Sequence, residues 1–320
     1  MSATFSIHVH ADGSKKAYEI FGQEHLGKQT PLVLVNVSQH ATRRLAEALR
    51  CALSVSPSPG IRSQVFDHRG MGDSTFSTKG DERLTLEMMA RDLLDLIVAL
   101  NWKKIVICGS SMGAQQLLVL PFHPSNPAAL PFEVSHIFLT ATLCEPQQDT
   151  SKSAKRFRSV PPPAKGRKRT FEETREFARP TTTATFDPKW VAENPDRFNC
   201  WLDRMTAGGR YEFVRFLFDG PADEDTYEDL YEPYANVTKD TKIMVIHGKL
   251  DEVLPYSASR VILERLPWAK DAEVGDKPGQ IPSLDFGRHW FEYFDIEVWK
   301  NIFEVFLNEP PPQSSDLAGL

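Results

Sequence analysis

Residues 109–113 read Gly109-Ser110-Ser111-Met112-Gly113, between the apolar run Lys104-Ile105-Val106-Ile107-Cys108 and the segment Ala114–Leu120. Two hydroxyls between two glycines, where a strand hands over to a helix, fit the G-x-S-x-G pattern of a nucleophile elbow. In such an elbow the central serine, here Ser111, stands at the tip of a sharp turn. The flanking glycines leave that turn space, and the helix start beneath favours negative charge at the tip. The competing reading of the same five residues is a glycine-rich helix start. A serine hydroxyl is a weak nucleophile, so it needs an imidazole to take its proton and a carboxylate to hold the imidazole tautomer. The chain order that goes with this elbow is serine, acid, histidine. Asp251 lies in Lys249-Leu250-Asp251-Glu252-Val253-Leu254-Pro255, just past an apolar run at 242–248, and His289 is the one histidine beyond it. Taken singly, Asp251 could be a turn aspartate and His289 a surface histidine among aromatics. Together and in this order, those alternatives are far less expected, and the three side chains fit nucleophilic catalysis through Ser111.

The elements around these residues predict a mainly parallel sheet. Alternating residues either side of Asp12-Gly13 predict an opening hairpin. The apolar stretch 31–37 suits a strand covered on both faces, 41–53 reads as a helix, and 63–67 as a strand. Leu86, Met89, Ala90, Leu93, Ile97 and Leu100 recur at helical spacing ahead of the strand that leads into GSSMG. Strands follow at 136–144 and 242–248. An amphipathic helix at 295–307 closes the chain, with Val298, Trp299, Ile302, Phe303 and Phe306 on one side. This βαβ rhythm is that of an α/β protein.

The chain resembles the α/β-hydrolase family from the first hairpin to the closing helix. Besides GSSMG, Phe66–Ser74 (FDHRGMGDS) is similar to the family's Asp-x-Arg-Gly-x-Gly-x-Ser segment, and Val245–Pro255 (VIHGKLDEVLP) to its strand, glycine and acid-bearing turn. The resemblance implies an α/β-hydrolase fold: a mostly parallel central sheet, helices on both faces and an inserted helical lid. It implies hydrolase core at 1–144 and 241–308, a lid at 145–240 and a disordered tail at 309–320. It also implies an esterase- or lactonase-like serine hydrolase with Ser111 as nucleophile, Asp251 as acid, His289 as base, no cofactor and no metal. The chain departs from the family where Asn36-Val37, followed by Ser38, stands in place of the usual His-Gly. By that alignment the oxyanion-hole donors are the backbone N–H groups of Met112 and Ser38, with Val37 as an alternative. One such donor is typically worth about 3 kcal/mol of transition-state stabilisation.

The expected substrate is a small, largely apolar ester, lactone or thioester. Acyl transfer to an alcohol and C–C bond hydrolysis stay open, since both can use the same triad; so does a non-catalytic ligand-binding role, suggested by the altered loop. Family members acting on epoxides and haloalkanes resemble one another in an aspartate nucleophile, and Ser111 argues against both. A net charge of −6 over 320 residues argues against nucleic acid as a partner. No window approaches a membrane span, and four cysteines without a CxxC pair, with no secretory signal, predict a cytoplasmic protein with reduced thiols. The oligomeric state is open.

Two signals remain. His8, His10 and Asp12 share one face of the first strand in an H-x-H pattern, but a hairpin at a sheet edge is expected to be open to solvent and no third ligand is specified. The basic run 152–169 could meet a phosphate-bearing ligand such as a coenzyme A thioester, or serve as a nuclear signal; charge patterning favours a solvated lid entrance. Ten aromatic residues between Phe171 and Phe218 predict an apolar surface over the serine.

Overall fold

The computed structural model describes residues 4–21, 30–35, 63–79, 85–114, 130–144, 170–207, 240–287 and 294–309. Eight strands form one sheet: β1 (Thr4–Val9), β2 (Lys15–Phe21), β3 (Leu32–Val35), β4 (Ser63–Phe66), β5 (Lys104–Ser110), β6 (Glu133–Thr140), β7 (Lys242–Ile246) and β8 (Lys270–Asp271). Their spatial order is β1-β2-β4-β3-β5-β6-β7-β8. The hairpin β1–β2 joins the sheet antiparallel to β4, and pairing is parallel from β4 through to β8.

The central strands are apolar nearly throughout because both faces are covered, and their side chains alternate between two cores. Val33, Val35, Ile105, Ile107, Ile137, Leu139, Ile243 and Val245 pack on one side with helices α1 (Leu86–Ala99) and α5 (Ser257–Arg265). Leu32, Leu34, Val106, Cys108, Phe138, Met244 and Ile246 pack on the other with α6 (Ile296–Leu307). Each fully buried aliphatic side chain contributes roughly 1.5–3 kcal/mol, so this two-sided burial holds the strand ends in register. Helix α1 begins where Thr85 Oγ1 accepts from the Met88 N–H at 3.1 Å. Its buried face carries the expected apolar residues, with Leu96 in place of the partly buried Leu100. It also carries a buried aspartate, Asp92.

Within the expected inserted region, residues 170–207 form α2 (Phe171–Ala184), α3 (Pro188–Glu193) and α4 (Pro195–Ala207). Thr170 and Glu173 close a capping box at the start of α2. Phe186, Trp190, Phe198, Trp201 and Leu202 give these helices a small core of their own. The helix expected at 41–53, the basic run, the aromatics from Tyr211 to Phe218 and residues 310–320 lie outside the described residues. Glu309, expected to open the tail, is ion-paired to Lys270 at 2.6 Å. No described helix is long and apolar enough to cross a membrane. Among the described residues, Cys108, Cys144 and Cys200 form no disulfide.

The FDHRGMGDS segment forms the corner after β4. Its Arg69 grips Asp92 with two bonds, Nε to Oδ2 at 2.6 Å and Nη2 to Oδ1 at 2.7 Å, and reaches Asp12 Oδ2 at 2.5 Å. Ser74 Oγ donates to the Asp67 carbonyl and accepts from the Ala17 N–H, both at 2.9 Å. The segment thus ties the hairpin, β4 and α1 together. β1 itself is inverted: Phe5, Ile7 and Val9 are 48, 42 and 57 % exposed, while His10 is only 7 % exposed. The expectation of a solvent-open histidine face is corrected here for His10, because α1 packs against that side of the strand.

Candidate active site

The carboxyl ends of β5, β6 and β7 finish level, with Ser110 beside Thr140 and Thr140 beside Ile246. Loops leaving β5 and β7 therefore emerge from one edge of the sheet, the edge where parallel α/β sheets bind ligands. At the end of β5 the chain turns at once into a helical turn at 112–114, and Ser111 takes φ +55° to make the corner. A left-handed residue with a side chain costs about 1–2 kcal/mol, so neighbouring contacts must hold it. The Ser111 N–H donates to the Thr140 carbonyl at 3.0 Å. The Ser111 carbonyl accepts from Thr142 Oγ1 at 2.9 Å and from the Ala114 N–H at 3.0 Å. Ala141, between those two threonines, is also left-handed at φ +45°, and its N–H is held by the Ile246 carbonyl at 3.0 Å. The end of β6 is the clamp on the Ser111 turn, and β7 holds the clamp.

The two adjacent hydroxyls differ in exposure. Ser110 is fully buried with no hydrogen-bond partner for Oγ, whereas Ser111 is partly exposed. Burial pushes the thiol pKa of Cys108, two residues earlier, far up, which leaves it protonated and unreactive. Met112 opens the helical turn, and first-turn N–H groups have no intrahelical partner.

Asp251 stands five residues past β7 with its side chain almost wholly buried. Oδ1 accepts two backbone N–H groups, from Val253 at 2.8 Å and Leu254 at 3.1 Å. Oδ2 lies 3.4 Å from Nε2 of His247, which also donates to the Leu254 carbonyl at 3.1 Å. These contacts set the carboxylate plane. Segment 284–287 is bonded to the same loop, with the Lys249 N–H on the Leu284 carbonyl at 2.8 Å and the Leu250 N–H on the Phe286 carbonyl at 3.1 Å. The approach is close enough to require glycine twice: a Cβ on Gly248 would meet the Phe286 carbonyl at 2.0 Å, and one on Gly287 the Leu250 carbonyl at 2.5 Å. His289, Ser38 and Val37 lie outside the described residues.

Sequence reasoning overlooked His247, Thr140 and Thr142. His247 could have been noticed as a lone imidazole at a strand end four residues before the acid. The threonines carry no such signal, since their roles depend on strand register. The family model described as alpha/beta hydrolase fold matches residues 43–278. This chain belongs to that family. The hydrolase fold is also seen in the solved structures it is similar to. One is a hydrolase from Pseudomonas aeruginosa PA01 (17% identity, 96% of this chain and 99% of that chain, TM-score 0.65). Another is the enol-lactonase from Burkholderia xenovorans LB400 (17% identity, 96% and 100%, TM-score 0.66). A third is the homoserine O-acetyltransferase from Staphylococcus aureus (19% identity, 99% and 99%, TM-score 0.61). No curated protein matches the chain. Within this hydrolase family the chemistry on one fold varies, so the reaction has to be argued from the site.

Proposed function

We propose that the protein is a serine hydrolase that cleaves a small, largely apolar ester, lactone or thioester through an acyl-Ser111 intermediate. The observation that carries this reading is the left-handed Ser111 at the strand-to-helix corner, partly exposed beside a fully buried Ser110. Asp251 is the acid and His289 the base. The chain reaches His289 two residues after Gly287, a span of at most about 7 Å, and Gly287 lies against the Asp251 loop. His289 takes the Ser111 proton as Oγ attacks the acyl carbon, then returns it to the leaving group; a water deprotonated by the same ring releases the acid. The Met112 and Ser38 N–H groups receive the oxyanion. We place helices α2 to α4, which carry an aromatic core of their own, over the site as a cap, which favours compact substrates over polymers. The cytoplasm is the compartment that suits the free thiols.

The test is kcat/KM on nitrophenyl acetate, butyrate and palmitate, on a small lactone and on acetyl thioesters, with and without an alcohol acceptor. Highest values on short acyl compounds, with free acid as product, are expected. Preference for emulsified long-chain ester would contradict the cap, and ester formation outrunning acid release would make the protein an acyltransferase.

A further inference from the structure

The inverted face of β1 forms a constellation separate from the Ser111 edge. His8 Nε2 and His10 Nδ1 converge on one oxygen, Asp95 Oδ2 of helix α1, at 2.8 and 2.6 Å, and the two rings meet edge to face with centroids 4.8 Å apart. Asp95 is 87 residues from His8 and 85 from His10 in sequence. One potential ligand atom from each residue lies within 4.8 Å of the others. The register that turns these imidazoles inward leaves Phe5, Ile7 and Val9 facing out, so apolar burial does not explain it.

His10 carries an unsatisfied ring nitrogen that a bound cation would satisfy. With Nδ1–H donating to Asp95, a neutral ring presents the bare lone pair of Nε2 inward. That nitrogen is buried, makes no hydrogen bond and faces Asp92 Oδ1 at 3.9 Å, acceptor against acceptor. A cation on Nδ1 reverses this. The proton then sits on Nε2 and points at Asp92, whose carboxylate is already locked by Arg69. Metal, imidazole and second carboxylate in that order are the arrangement that orients histidine ligands and raises their basicity. We propose that His8, His10 and Asp95 bind one borderline divalent transition metal ion, Zn²⁺ by preference, with Asp92 as the outer carboxylate.

Two imidazole nitrogens, one carboxylate oxygen and a water make a four-coordinate site of the kind zinc takes. Tetrahedral ligation at about 2.1 Å sets neighbouring ligand atoms about 3.4 Å apart, so the contacts to Asp95 must open by less than about 1 Å. Asp95 and His8 are partly exposed, which leaves room for entry and for the water. The ion pins the edge hairpin to α1, the helix that runs into β5. Its role is to hold the scaffold, and the proposal stands apart from the hydrolase assignment.

The full-length chain, stripped with EDTA and dialysed, is titrated with Zn²⁺ against a chromophoric chelator; Co²⁺ is added separately to read coordination from its visible spectrum. One equivalent bound, a melting temperature that rises with free Zn²⁺ and the intense visible bands of four-coordinate Co²⁺ are expected in the wild type. Asp92→Asn should weaken binding by roughly 10- to 100-fold; Asp95→Asn and His8→Ala should weaken it further. Absence of stoichiometric binding by the wild type, or weak six-coordinate Co²⁺ bands alone, overturns the site whatever the variants do. Unchanged affinity in a folded His8→Ala/Asp95→Asn double variant overturns it as well.

Discussion

The Ser111 turn and the Asp251 loop leave the same sheet edge, two strands apart, and are fixed by opposite means. The turn is held in an unfavourable conformation, φ +55°, by three hydrogen bonds of the Ser111 backbone, its N–H donating to the Thr140 carbonyl and its carbonyl accepting from Thr142 Oγ1 and the Ala114 N–H. The loop carries no described backbone strain. Its carboxylate is seated by two N–H groups and His247, and its main chain is pressed against residues 284–287 where only glycine fits. Strain puts a small side chain on a tip where it is reachable; saturation of hydrogen bonds keeps a buried charge from needing water. A nucleophile needs the first treatment and an orienting acid the second, which is how the proposed roles follow from the two environments.

The largest effect expected is on Ser111→Gly, which should lose turnover by on the order of 10⁴-fold or more yet gain up to about 1 kcal/mol of stability, because glycine relieves the left-handed strain. Opposite signs for activity and stability, read by ester hydrolysis and urea unfolding, would mark the turn as strained for function. A loss of both would mean that the side chain serves the fold.

Asp251→Asn comes next, with turnover down on the order of 10⁴-fold through the wrong histidine tautomer. The amide oxygen still accepts from Val253 and Leu254, so KM should change little. Near wild-type turnover would place the acid elsewhere.

How much of this was legible in the sequence differs between the same two regions. The elbow could be read because its requirements are local: two glycines, a serine and an apolar strand ahead of them. The strands β3, β5, β6 and β7 could be read for the same reason, since burial on both faces removes polar residues from them. The acid's surroundings were only half legible. Asp251 follows a strand end, but His247 was passed over, and the glycines at 248 and 287 disclose their function only once the loop and segment 284–287 are side by side. The polar face of β1 was legible as a pattern and misread as open, because Asp95 and Asp92 sit on a helix whose apolar spacing gives no hint that it packs against histidines.

Smaller effects sharpen the contrast. Gly248→Ala should cost about 2–4 kcal/mol and lower turnover, since a Cβ there meets backbone that cannot move away. Thr142→Val removes one bond to the Ser111 carbonyl and should cost about 1 kcal/mol; a wild-type urea midpoint would show that the remaining two bonds suffice. Away from both loops, Lys16 is buried over the Phe66 ring, 4.0 Å from Asp92, and burial, partly opposed by Asp92, pushes its pKa down to about 8. The folded state binds that proton less tightly than the unfolded chain. The penalty is therefore full below about pH 8 and is relieved as pH rises toward the ordinary value of 10.5. Stability of the wild type relative to Lys16→Met should climb across that window; a flat difference would contradict the buried charge.

Which of the two adjacent hydroxyls reacts decides the nucleophile. Labelling of the full-length protein with a fluorophosphonate, followed by peptide mapping, should give one adduct on Ser111 in the wild type and in Ser110→Ala, and none in Ser111→Ala. An adduct on Ser110, or equal labelling of the Ser111→Ala protein, would contradict the assignment of Ser111 as the nucleophile.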